Sequence, residues 1–383
     1  MTTYHFLQLY WWGVVSILGA ILVFLMFVQG GQTLLFGTAK NEEQKRILLK
    51  IFGHKWELTF TTLVTFGGAA FASLPLFYST SFGGAYWLWI LILLSFVIQA
   101  FSYEFRSKEN NLLGKRTYEI FLLINGVLGT ILIGVAVASF VTGGNFMMDK
   151  MNITNTGSNI ISYWTNDYKG LELIAVPTNI LLGIVIFLCA RTLGILYTIN
   201  QCERYGTTEA KELSERAASK LIASGLGFVL FFVLFVLILF LSTGYRVDTQ
   251  ADTFNGIDGP FIAEKYAYLH NMLNFWWIGV IFLVGVVSVL IGLGRTILMG
   301  KSTFYLTGLG VVLAVWAILL TIGWGDLSYF HSNTDLNSSL TLYNSSSSLY
   351  TLKTMAYASL AVPFVIAYIA YVWKKMSAKN EKL

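Results

Sequence analysis

Residues 53–79 read GHKWELTFTTLVTFGGAAFASLPLFYS, in which a carboxylate stands at the start of a long apolar segment. The apolar part, 57–79, is close to the ~20 residues that an α-helix needs to cross a bilayer. An Asp at the centre of such a helix costs about 2.5–3.5 kcal/mol on insertion scales, and less near an interface. Glu57 stands at the start of the segment. We therefore predict that it is solvated, paired or proton-carrying.

The rest of the chain has the same apolar character. Of its 383 residues, 56% are hydrophobic and only 12% are charged. This composition excludes a soluble protein, because no soluble core needs so much apolar surface. Apolar segments near the length of a bilayer crossing lie at 8–35, 57–79, 84–103, 117–142, 171–199, 221–244, 270–294, 303–325 and 350–373. The sequence predicts a single membrane domain, 1–383, of the all-α class with nine transmembrane helices.

The distribution of basic residues predicts the orientation. Lys and Arg are retained in short cytoplasmic loops. Of the 25 basic residues, 20 fall in the odd-numbered predicted loops, their flanks and the C-terminal tail. The N-terminus is therefore expected outside and the C-terminus in the cytoplasm. The net charge of +5 then reflects orientation and contact with anionic lipid head groups, and no basic groove with interleaved aromatics points to nucleic acid.

A long polar connection after the fourth predicted helix, 143–170, is the natural boundary between two halves of the chain. We expect two four-helix bundles, 1–145 and 171–327, with one additional helix at 350–373.

The chain has four histidines, His5, His54, His270 and His331. Haem and copper in membranes are usually held by imidazoles at buried helical positions. None of the four lies near the centre of a predicted helix. We therefore predict interfacial or solvated histidines and no haem bound by this chain alone, with an axial ligand from His54 or His270 as the alternative.

Few ionisable groups lie inside or at the edges of the predicted helices. Glu57 is as compatible with an interfacial charge as with a proton-conducting one. Gln29 and Gln32, three residues apart, are predicted to share one helix face; such amides carry hydrogen bonds but do not release protons at ordinary pH. For Glu104 and Arg106 we predict a charge pair at the end of a helix.

Three segments together resemble subunit II of the cytochrome bd-type quinol oxidases, terminal oxidases of bacteria and archaea that pass electrons from quinol to dioxygen. They are residues 53–75, residues 103–108 (YEFRSK) and residues 343–353 (YNSSSSLYTLK). The resemblance covers nearly the whole chain in length and in its nine-helix plan.

The resemblance implies a multi-pass subunit in a prokaryotic cytoplasmic (inner) membrane. Its complex would oxidise quinol, reduce dioxygen to water and generate a proton gradient. Haems b and d and the quinol site would belong to subunit I, the partner of this chain, which would ligate no haem and would not be catalytic alone. A small single-helix accessory subunit is a further expected partner, besides membrane lipid.

The resemblance also implies roles for particular residues. Glu57 matches an acid implicated in proton supply from the cytoplasm, and Glu57, Gln29 and Gln32 become candidates for a proton path. Trp56, Glu104 and Arg106 become candidates for structural or interface roles. The chain departs from the family at residues 29–32, QGGQ in place of an Asp-Gly-Phe-Asp motif, and at Thr62, in place of a Trp associated with an oxygen route.

Two other function classes stay open at this point. A secondary transporter or channel predicts broken helices with paired acids near the midplane of the membrane. A purely structural scaffold predicts that Glu57→Gln leaves turnover unchanged.

Overall fold

Helices dominate the computed structural model, which describes residues 2–109, 111–149, 161–255 and 259–378. In the first half they are α1 Thr3–Leu25, α2 Phe27–Gln32, α3 Glu42–Gly53, α4 Trp56–Ser73, α5 Pro75–Tyr78, α6 Tyr86–Phe105, α7 Lys115–Ile124 and α8 Thr130–Thr142. In the second half they are α9 Pro177–Tyr205, α10 Thr208–Ser219, α11 Leu221–Leu241, α12 Ala267–Asn274, α13 Trp276–Met299, α14 Phe304–Gly323, α15 Leu342–Ser345, α16 Leu349–Ser359 and α17 Val362–Ala378. Three of the 25 basic residues lie outside the described residues: Lys150, Lys379 and Lys382.

Two short antiparallel hairpins lie in the connections. One pairs β1, Phe146–Met148, with β2, Ser162–Trp164, and the other pairs β3, Thr243–Val247, with β4, Phe261–Lys265. We call the end of the bundle that carries them the hairpin end. The opposite end carries α3 and α10, which contact each other, and we call it the basic end.

Seven helical stretches of the described chain are long and apolar enough to cross a membrane. They are Thr3–Gln32, Tyr86–Phe105, Lys115–Thr142, Pro177–Tyr205, Thr208–Leu241, Trp276–Met299 and Phe304–Gly323. These stretches confirm a helical, multi-pass membrane protein.

The other two predicted crossings, 57–79 and 350–373, are helical but interrupted. In the first, α4 ends at Ser73 and Pro75 begins α5, because the proline ring cannot continue the helical hydrogen-bond ladder. In the second, α16 ends at Ser359 and α17 begins at Val362. The count of nine crossings and the orientation of the termini therefore stay predictions. The two predicted halves pack closely along α9 and α14, and their division is also still a prediction.

A close helix crossing fixes the position of α2 against α9. A Cβ atom added to Gly30 would lie 1.9 Å from the backbone oxygen of Ala190, and one on Gly194 would lie 2.5 Å from the backbone nitrogen of Gly31. Only glycine permits this approach, as at other interfaces between membrane helices. The crossing holds the α2 amides at a fixed depth in the bundle.

A π-helical turn, Asn125–Gly129, joins α7 to α8. Such turns are frequent at functional sites. This one packs against α2: a Cβ atom on Gly126 would lie 2.6 Å from the backbone oxygen of Gln29. The side chain of Asn125 is fully buried as a result.

The prediction of a solvated or interfacial His331 is wrong. Its side chain is only 4% exposed, because Gly143, at φ +73°, packs against the imidazole and the ring of Tyr245 lies 4.6 Å from it, centroid to centroid. The distance of a histidine from the centre of a predicted helix carries no information about such burial. Polar loops at the hairpin end fold over one another and enclose this ring. Burial lowers the pKa of His331 to about 4.

The buried His331 predicts acid sensitivity. Its native pKa lies below the ~6.5 of an unfolded histidine, so the unfolded chain binds a proton between these values and the native chain does not. The free energy of unfolding should therefore fall by up to ~3 kcal/mol as pH drops from 6.5 toward 4. We expect the thermal midpoint of the purified protein to fall less steeply in His331→Gln than in wild type or in the control His5→Gln. Equal profiles for all three proteins would contradict this expectation.

Candidate functional site

One face of α6 carries a stripe of buried polar side chains. Ser95, Gln99, Ser102 and Arg106 are spaced four, three and four residues apart, which places them on a single helix face, and each is at most 3% exposed. Sequence reasoning missed the first three. Their helical spacing within an apolar segment was the available signal.

Gln32 makes the first cross-helix contact with this region. Its Nε2 donates to the hydroxyl of Tyr103, at a distance of 3.2 Å. The indole of Trp56 stacks on the Tyr103 ring, with the ring centroids 6.2 Å apart and the planes inclined by 13°. Gln32 itself is 1% exposed, so this hydrogen bond lies inside the protein.

Two further hydrogen bonds between polar side chains lie deeper in the bundle. The Gln29 Nε2 donates to the Gln99 Oε1 at 3.3 Å, and the Asn125 Nδ2 donates to the Ser95 hydroxyl at 3.3 Å. The predicted shared face of Gln29 and Gln32 is thus present, but the two amides bond to α6 and not to each other. We call Gln32, Tyr103, Gln29, Gln99, Ser95 and Asn125 the polar row.

Each amide of the polar row keeps one buried atom without a protein partner. Among the described residues, Gln29 Oε1, Gln32 Oε1, Gln99 Nε2 and Asn125 Oδ1 have no hydrogen-bond partner in the protein. A buried polar atom left unsatisfied costs about 1–3 kcal/mol, and ordered water is the usual remedy. At 1.5 Å per residue, the stripe from Ser95 to Arg106 extends for ~16 Å, about half the hydrocarbon thickness of a bilayer. The row is therefore suited to hold a file of water molecules.

A buried ion cluster lies at the basic end of the stripe. Arg106 Nη2 lies 2.5 Å from Glu119 Oε1 and 2.8 Å from Glu42 Oε1, and Lys45 Nζ lies 2.7 Å from Glu119 Oε2. Both Arg106 and Glu119 are 2% exposed. The cluster joins α3, α7 and the end of α6.

The predicted pair of Glu104 with Arg106 is wrong. Glu104 is exposed and pairs with Lys108, one helical turn away. Residues two apart on a helix point to opposite sides, so Arg106 turns inward to Glu119 while Glu104 turns outward.

Glu57 lies on a surface groove of about 720 Å³ at the basic end. Trp56, Tyr103, Glu104 and Arg106 also line this groove. The Glu57 side chain is exposed, so the structure does not place it against Gln29 or Gln32. Tyr103 provides the connection, because it lines the groove and also accepts the hydrogen bond from Gln32.

The described residues contain no group of three or more His, Cys, Asp or Glu side chains that could hold a metal ion. Three of the histidines have defined contacts. His5 stacks on Tyr343, and the Nδ1 of His270 lies 2.8 Å from Glu264. Together with the enclosed His331, these positions lie at the hairpin end or on its helix ends, away from the polar row.

Comparison with known proteins gives a consistent family assignment. The family model for cytochrome bd terminal oxidase subunit II matches residues 7–376. The chain is 26% identical to cytochrome bd-I ubiquinol oxidase subunit 2 of Escherichia coli strain K12, over 100% of this chain and 97% of that protein. It is also 26% identical to cytochrome bd ubiquinol oxidase subunit 2 of Bacillus subtilis strain 168, over 90% and 88% of the two chains. The solved bd oxidase of Geobacillus thermodenitrificans shares the fold, with a TM-score of 0.58 and 11% identity over 97% of this chain and 99% of that one.

Proposed function

Because the chain belongs to the cytochrome bd terminal oxidase subunit II family and is thus a subunit of a quinol oxidase complex, we propose that it conducts protons from its basic end into the membrane along the polar row. The observation that carries this proposal is the set of four buried amides, each with one unpartnered atom, along one side of α6. The family assignment removes the alternative of a secondary transporter or channel.

The proposed direction of transfer rests on orientation. We place the basic end in the cytoplasm and the hairpin end outside, with nine crossings of the inner membrane. The charge distribution supports this placement: α3 and its preceding loop carry Lys40, Lys45, Arg46 and Lys50, whereas the four hairpin strands carry only Arg246 and Lys265.

In the proposed path, Glu57 takes up protons at the groove and Tyr103 hands them inward. The Tyr103 hydroxyl accepts from Gln32 and keeps its own hydrogen free to donate toward the groove or the row. Beyond it, the amides of Gln29, Gln99 and Asn125 do not ionise. They orient water molecules, which move a proton by exchanging hydrogen bonds.

Haems b and d supply the electron chemistry of such a complex, and we propose that the partner subunit ligates them and binds quinol. Two histidines of this chain, His270 and His331, are poorly placed to ligate a haem. His270 Nδ1 is bonded to Glu264, and the His331 ring is enclosed by Gly143 and Tyr245. No step of the proposed path passes through a haem.

The outward face of α4 is the proposed contact with the haem-bearing subunit. It exposes Thr61, Thr65 and Gly68 beside two apolar side chains, Val64 and Phe71. The exposed side chains of α11 include the long aliphatic Leu230 and Leu237. Long aliphatic side chains suit lipid, whereas small and hydroxyl-bearing ones are typical of contacts between membrane helices. Trp56, at the start of α4, is a further candidate for this interface. A single-helix accessory subunit is a candidate partner, and we assign no contact to it.

The proposal is tested by replacing one amide of the polar row with a side chain that forms no hydrogen bonds. In the assembled complex, Gln99→Leu should slow oxygen reduction by roughly tenfold and should raise the solvent isotope effect. The expected loss is smaller than the ~10²–10⁴-fold of a positioned acid or base, because Gln99 orients water and does not itself transfer the proton. The haem content should stay at the wild-type level.

Glu57→Gln should lower turnover most at high pH, where protons are scarce.

Gln8→Leu is the matched control. Gln8 is a buried amide on α1, but it bonds to the backbone of Leu342 at the hairpin end, outside the polar row. Its replacement should leave the rate and the isotope effect unchanged. Wild-type turnover in Gln99→Leu with full haem content would reject the proton path and leave the scaffold role.

A further inference from the structure

Arg191 carries a charge in the middle of α9, a helix of the membrane-crossing type. Charged residues inside such helices are costly and mark functional sites. Its Nη1 donates to the hydroxyl of Thr33 at 2.5 Å, and Thr33 in turn donates to the backbone oxygen of Gly30. In the part of the chain that the structure describes, Arg191 has no carboxylate within ion-pair distance. The guanidinium is therefore hydrogen-bonded but not neutralised.

Lys220 brings a second cation to the same place. It lies at the junction of α10 and α11, and its Nζ donates to the backbone oxygen of Gly37 at 2.6 Å and to the Thr38 hydroxyl at 2.9 Å. Arg191 contacts the same turn through Thr33. Lys220 likewise has no carboxylate partner among the described residues. Two like charges are thus held around one turn, residues 33–38, that follows α2.

The first turn of α11 adds to the positive potential. Lys220 directly precedes Leu221, where α11 begins, and the first backbone N–H groups of a helix have no partner within it. Ile222 and Ala223, in this turn, are exposed. The helix dipole and the two side chains therefore act on the same region of the surface.

The depth of this region matches the phosphate layer of a bilayer. The 21 residues of α11 cover ~31 Å, about the thickness of the hydrocarbon core, so its first residue lies near the core boundary. Arg191 and Lys220 are both half-buried, so each still reaches the surface. Long basic side chains extend toward head groups from positions below them.

We propose that Arg191 and Lys220 form a binding site for the phosphate of an anionic phospholipid, between α9, α11 and the turn that follows α2. A phosphate would neutralise both charges and accept hydrogen bonds from the guanidinium and the ammonium. The bound head group would also hold the 33–38 turn, directly next to the glycine crossing of α2 with α9. Arg216 also donates to this turn, from its Nε to the backbone oxygen of Thr38 at 3.0 Å. It is not counted as a member of the site, because its charge is already paired with Glu212 at 3.4 Å. The site does not depend on the proposed proton path.

The test uses the delipidated, assembled complex titrated with dioleoylphosphatidylglycerol and followed by native mass spectrometry. Basic residues near an anionic lipid each contribute an affinity factor of about fivefold. Lys220→Gln should therefore weaken binding by about fivefold, and Arg191→Gln with Lys220→Gln by roughly thirtyfold. Lys211→Gln, on the exposed face of α10, is the control and should bind like wild type.

Two further measurements, with a zwitterionic lipid and with inorganic phosphate, identify the ligand. Dioleoylphosphatidylcholine should bind more weakly than the anionic lipid, with little difference between variants. Inorganic phosphate alone should not raise the thermal midpoint of the complex. Unchanged phosphatidylglycerol binding in Lys220→Gln would overturn the site, and a thermal shift from inorganic phosphate equal to that from the lipid would overturn its assignment to lipid. Lys220→Gln serves as the readout if the double variant does not assemble, because Lys220 is at a helix end and partly exposed.

Discussion

Replacing Gly30 by alanine is expected to prevent assembly of the complex. The new Cβ atom would lie 1.9 Å from the backbone oxygen and 2.0 Å from the backbone carbon of Ala190. Both are backbone atoms in the middle of α9 and cannot move away as a flexible side chain can. Overpacking of a well-ordered core costs about 1–3 kcal/mol and occasionally more, and a backbone clash belongs at the upper end or above it.

The measurement is the yield and thermal midpoint of the purified complex. Gly13→Ala is a matched control, because Gly13 is also in the first membrane helix and a Cβ atom there meets nothing within 4 Å. It should assemble normally, and the added methyl should be neutral or slightly stabilising. Normal yield and midpoint in Gly30→Ala would show that α2 and α9 do not cross as closely as described.

The second large effect is expected from Arg106→Met. This change removes two hydrogen bonds to Glu119, a carboxylate that is only 2% exposed, and leaves it with Lys45 alone. Removing one partner of a buried ion pair typically costs 3–5 kcal/mol, because the remaining charge is buried and uncompensated. We expect a lower thermal midpoint and less complex, even though methionine fills most of the arginine volume.

A double variant separates charge from packing. Arg106→Met combined with Glu119→Met should recover most of the lost stability, because well-packed apolar residues often replace a buried pair at little cost. Lys108→Met, which breaks the exposed pair with Glu104, should change stability by about 0.5 kcal/mol or less. A double variant no more stable than Arg106→Met would contradict the assignment of the effect to the unpaired Glu119.

The wrong predictions for Arg106 and His331 share one physical origin. Pairing Glu104 with Arg106 used proximity along the chain, whereas a helix turns the two side chains to opposite sides. The true partner, Glu119, lies beyond a helix end on α7. The position of His331 outside the predicted helices favours a solvated ring, whereas its burial comes from Gly143 and Tyr245, far from it in the chain.

The class of the protein, its family and the shared face of Gln29 and Gln32 can be predicted from the sequence. These follow from local properties: apolar length, motifs, and the 3.6-residue period of a helix. Which polar groups meet depends on the packing of the helices. Gln29 contacts Gln99 across 70 residues of chain, and Arg191 contacts Thr33 across 158. Such contacts depend on how helices cross, and the crossing here is fixed by the backbone approach that Gly30 and Gly194 allow.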